Sequence, residues 1–90
     1  HKAAHRRRAP DALKSAAPLK KKAGAAEKRL EKANARVAAI DEELVQPNLS
    51  SERMQALMKE RAEQTDLAEV AETDWLEASE AYEEAISIAG

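Results

Sequence analysis

Ninety residues set the size of one small domain, and with aromatic side chains at 2% (Trp75 and Tyr82, no Phe) they cannot build a thick globular core. The absence of cysteine excludes disulfide staples and thiolate metal sites, and no apolar run approaches the roughly 18 residues needed to span a bilayer. The net charge of −2 conceals a polarity: residues 1–36 hold twelve Lys/Arg against three Asp/Glu, and residues 37–90 hold three against fourteen.

A composition rich in Ala, Glu, Lys, Leu and Arg points to long helices packed in pairs, an all-α fold read as a soluble chain. Beginning at His1 with no initiator Met, it reads as a fragment of a longer protein. Residues 1–17 are basic, contain Pro10 and carry no sustained apolar stripe, so they are expected to form a linker arm, in part helical and not necessarily ordered. Pro18 suits the first turn of a helix, where its missing N–H costs nothing. From there Leu19, Ala23, Ala26, Leu30, Ala33, Val37, Ile40 and Leu44 recur at alternating spacings of four and three, the a/d seam of a coiled coil. Gly24 lies inside this stretch and weakens it by about 1 kcal/mol relative to Ala.

The pattern stops at Gln46-Pro47-Asn48, because proline lacks a backbone donor and disfavours helical geometry in the residue before it. Asn48, Ser50 and Ser51 can each cap a new helix, with Glu52 in its first turn. The second stripe is Met54, Leu57, Arg61, Gln64, then Leu67 or Ala68, followed by Ala71, Trp75, Ala78, Tyr82, Ala85 and Ile88. The expectation is an antiparallel two-helix coiled-coil hairpin over residues 18–88 with a basic N-terminal arm, its helices at about 18–45 and 51–87 and its turn at 46–50. Setting Leu44 beside Met54 places Trp75 opposite Ala23, large against small, and lays Lys20, Lys21, Lys22, Lys28, Arg29 and Lys32 along the acidic stretch from Glu63 to Glu80. Those charges are expected to pair and select the register, with apolar burial supplying the stability.

No catalytic pattern is present. The two glycines, Gly24 and Gly90, form no phosphate loop, and the serines have no histidine near them in sequence. His1 and His5 have the i, i+4 spacing of a metal pair, but three arginines follow at once and no third ligand is evident, so no metal is expected. Trp75 reads as seam packing rather than a stacking platform, since the residues around it are acidic and repel phosphate. The cations of residues 1–22 are the functional candidates: Arg6, Arg7, Arg8, Lys14, Lys20, Lys21 and Lys22 outnumber the single Asp11 and can neutralise phosphates of DNA or RNA without reading bases.

Several segments carry a family resemblance: APLKKK at 17–22, AAEKRLEKANARVAAI at 25–40, the QPNL turn at 46–49 and above all WLEASEAYEEA at 75–85. Over residues 17–86 the chain resembles the C-terminal coiled-coil domain of ABC-F ATP-binding cassette proteins of the Uup type, with the basic arm similar to the segment joining that domain to the second ATPase cassette. Gly24 departs from the family pattern, which has a better helix former there. The resemblance implies a cytoplasmic, ribosome-associated parent without membrane spans, whose ATP and magnesium sites lie in cassettes outside this chain. For the domain itself it implies an accessory role binding DNA or ribosomal RNA, with no cofactor and no enzymatic activity of its own. The chain is expected to be a monomer. The alternative is a docking module that contacts ribosomal protein or the parent's own cassettes, and the plainest option is a structural spacer.

Overall fold

The computed structural model describes the backbone of residues 2–89 and the side chains of residues 13–88. It contains two helices and, among the described residues, no strand: α1, Lys2–Leu44, and α2, Ser51–Ala89. This is the expected all-α helical hairpin, with one difference at its start. Helix α1 begins at Lys2 instead of Pro18 and runs through Pro10, Pro18 and Gly24. Alanine, the strongest helix former, is frequent before Pro18, and Ala16 is fully buried, so the seam extends into the stretch expected to be an arm. Pro18 and Lys14 are both exposed, which leaves water able to satisfy the carbonyl that proline deprives of a partner.

Two compact units make up the chain, His1–Ala26 with Thr73–Gly90, and Glu27–Glu72. Within Glu27–Glu72, Ile40 and Leu57 are the largest fully buried side chains, joined in the core by Ala33, Ala68 and Ala71. Leu30, Val37 and Leu44 are partly buried, as their seam spacing requires. At the Leu67/Ala68 ambiguity the small residue takes the seam: Ala68 is 8% exposed and Leu67 57%. Met54 is also largely exposed, so Leu57 closes the seam near the turn in its place.

Three two-pronged ion pairs link the helices in this unit. The Arg36 guanidinium donates through Nε and Nη2 to Glu60, the Nη2 bond measuring 2.7 Å. Arg53 donates to Glu43 at 2.6 and 2.8 Å, and Arg61 to Asp41 at 2.6 and 3.2 Å. Hydrogen bonds from these guanidiniums hold the Glu60, Glu43 and Asp41 carboxyls below their usual range. The expected lysine pairs do not form: among the described residues, Lys20, Lys21, Lys22, Lys28 and Lys32 have no salt bridge. Those lysines sit mostly on outward positions, whereas the arginines flank the seam and their planar forks match a carboxylate.

These pairs select the register through their order along the chain. Arg36 and Glu43 are one heptad apart on α1, and Arg53 and Glu60 one heptad apart on α2 with the signs in the same order, so antiparallel pairing joins opposites. A one-heptad slip in one direction brings Arg36 to Arg53; a slip the other way brings Glu43 to Glu60. The Leu44–Met54 alignment would set Arg36 opposite residue 62, Glu43 opposite 55 and Asp41 opposite 57, so the observed partners Glu60, Arg53 and Arg61 each lie about a helical turn or less away.

The turn follows from its residues. Helix α1 stops before Gln46, whose N–H donates to Glu43 O at 3.1 Å, and Asn48 reverses the chain at φ 65°, a left-handed conformation that Asn tolerates better than most residues. Of the three candidate caps Ser50 is used: its Oγ accepts from the Arg53 N–H at 3.1 Å, and its carbonyl accepts from Met54 N–H at 2.9 Å.

Within the other unit, Ala16, Ala26 and Ala78 are buried, while Leu19, Ala23, Trp75, Tyr82 and Ala85 are partly so. Trp75 is thus half-buried, not the enclosed anchor its seam position predicts, because neighbours as small as alanine cannot cover an indole. Ile88, at the last expected seam position, is exposed.

Candidate nucleic-acid interface

The sequence candidates lie on α1 within the unit His1–Ala26. Arg6, Arg7 and Arg8 belong to its helical backbone, but their side chains, like those of His1 and His5, fall outside the described residues. Lys14, Lys20, Lys21 and Lys22 are all exposed. Helical geometry explains their common outlook. With Leu19, Ala23 and Ala26 turned inward, Lys21 points straight away from the seam while Lys20 and Lys22 flank it, all three in water, and Lys14 lies one heptad before Lys21 on the same outer face. Seven residues at 1.5 Å per residue separate the Lys14 and Lys21 levels by about 10.5 Å.

None of these four ammonium groups is consumed by an ion pair among the described residues. The facing part of this unit, Thr73–Gly90, carries exposed Glu77, Glu80, Glu83 and Glu84. A polyanion is therefore attracted on the α1 side and repelled on the α2 side. Trp75 and Tyr82 are both half-buried on the acidic part of α2, where like charge repels a nucleic-acid backbone, so phosphate contact from α1 is the chemistry this unit favours.

Other polar groups have structural roles. Ser50 caps α2, Ser87 Oγ donates to Glu84 O at 2.8 Å, and Thr65 Oγ1 donates to Arg61 O at 2.8 Å. Among the described residues no cluster of His, Cys, Asp or Glu could hold a metal ion, and no helix is long and apolar enough to cross a membrane.

One feature of the unit Glu27–Glu72 has no counterpart in the sequence reading: a groove of about 280 Å³ lined by Arg29, Lys32 and Ala33 of α1 and by Gln64, Leu67, Val70 and Ala71 of α2. It exists because alanines occupy the seam at 33, 68 and 71 while the larger Leu67 is turned out. The signal for it was the Leu67-Ala68 doublet, which decides which of the two fills the core. Compared with family models, curated proteins and solved structures, the chain matches none.

Proposed function

We propose that this hairpin is an accessory nucleic-acid-binding module of a cytoplasmic ABC-F ATPase, contacting DNA or ribosomal RNA through phosphates and without base preference. The observation that carries the reading is the set of exposed lysines at 14, 20, 21 and 22, which no carboxylate neutralises among the described residues, whereas the arginines beside the turn are tied to partners. Arg6, Arg7 and Arg8 precede them in sequence and extend the basic stretch. The resemblance to the Uup-type C-terminal domain supports the same role and supplies the expected setting, next to cassettes that hold ATP and magnesium. Catalysis is assigned to those cassettes, not to this domain.

Salt dependence tests the proposal. Each neutralised phosphate of duplex DNA contributes about −0.9 to the slope of log affinity against log salt, so replacing Lys20, Lys21 and Lys22 by Ala should flatten the slope by nearly three. The Arg6/Arg7/Arg8→Ala variant should behave alike, with affinity loss similar across sequences. Fluorescence anisotropy reads both. An unchanged slope in the two variants, or no binding by the parent chain at low salt, overturns the proposal and favours docking to a protein.

A further inference from the structure

We propose that the groove in the unit Glu27–Glu72 is a self-association surface, occupied by the same face of a second copy of this chain. The groove opens on the side of the hairpin that carries the Arg36–Glu60 pair. On this side the two helices have opposite signs. Helix α1 presents the exposed Lys32 and α2, one turn before Leu67, the exposed Glu63, while Arg36 and Glu60 on the same side are already joined to each other. Between these edges lie two large apolar side chains in water, Leu67 at 57% exposure and Val70 at 60%, beside the small floor residues Ala33 and Ala71.

A partner that covers Leu67 and Val70 is favoured when it places negative charge near Lys32 and positive charge near Glu63. This chain meets that condition itself. A two-fold axis parallel to the helices lays α1 of each copy over α2 of the other at the same level, so that Lys32 of one copy approaches Glu63 of the other and the Leu67/Val70 patches fill the paired grooves. A two-fold axis across the helices instead places α1 over α1, setting Lys32 against Lys32 and Glu63 against Glu63, which like-charge repulsion opposes. The expected monomer followed from the seam alone, and the groove supplies a second apolar surface which that reading did not contain.

Two experiments on the whole chain test this. Sedimentation equilibrium up to about 1 mM should detect a monomer–dimer equilibrium, weakened about tenfold or more by Lys32→Glu and regained in the Lys32→Glu/Glu63→Lys double variant. Because the chain contains no cysteine, single Lys32→Cys and Glu63→Cys variants can be mixed and oxidised. The mixed disulfide should dominate over either symmetric one. A monomer at every concentration would leave the groove to water or to another protein and overturn the proposal; dominant symmetric disulfides would overturn the arrangement.

Discussion

Replacing Ile40 by alanine tests whether the seam near the turn holds the hairpin together. Ile40 is 0% exposed, and Ile→Ala removes three carbons, a transfer loss of roughly 2.4 kcal/mol at about 0.8 per methylene. The void adds to this, and measured Ile→Ala losses span about 2–5 kcal/mol. Two helices with partly exposed neighbours can close partway over a void, so a total of about 3 kcal/mol is expected. In a domain of this size that lowers Tm by roughly 12–24 °C, at about 4–8 °C per kcal/mol. Helical circular dichroism followed through thermal melts would measure it, with Met58→Ala as the exposed control, expected within about 0.5 kcal/mol of the parent. If Ile40→Ala melts within a few degrees of the parent, or no lower than the control, the seam does not carry the stability assigned to it.

Removing the cap with Ser50→Ala should cost about 1 kcal/mol in urea titrations, since the Arg53 N–H loses its side-chain acceptor; no loss would assign the cap elsewhere. Gly24→Ala should raise stability by about 0.5–1 kcal/mol in the same assay, because α1 passes through Gly24 and an added Cβ meets nothing within 4 Å. Acid should weaken the hairpin: Asp41, Glu43 and Glu60 have folded-state pKa values depressed by their arginines, so their contribution is present above the ordinary carboxylate range and lost as pH falls through the depressed values. Tm should hold from neutral pH to about 5 and then decline. A combined Arg36/Arg53/Arg61→Gln variant should show a shallower decline, and an identical one would contradict the assignment.

The helical period was legible because Leu30, Ala33, Val37, Ile40 and Leu44 keep a strict alternation of three and four, which few other arrangements of the chain can bury. The turn was legible through Pro47. The start of α1 was not: a local rule about proline pointed to Pro18, while burial of Ala16 depends on residues more than fifty positions away. The lysine pairs were expected and do not form, for a related reason. Counting opposite charges along the register favoured the numerous lysines, but geometry favours the arginines beside the seam, whose forks reach across it. Exposure of Lys14, Lys20, Lys21 and Lys22 could be anticipated from their positions relative to Leu19 and Ala23. The groove could not, because it depends on which of Leu67 and Ala68 turns inward.

The functional account is tested most directly by titrating the isotopically labelled chain with a short DNA duplex at low salt and following backbone amide shifts. Perturbations should concentrate at residues 6–22 of α1, leave Glu77–Glu84 nearly unmoved, and vanish as salt is raised. Shifts confined to the acidic stretch of α2 or to the turn, or no shifts at low salt, would contradict it.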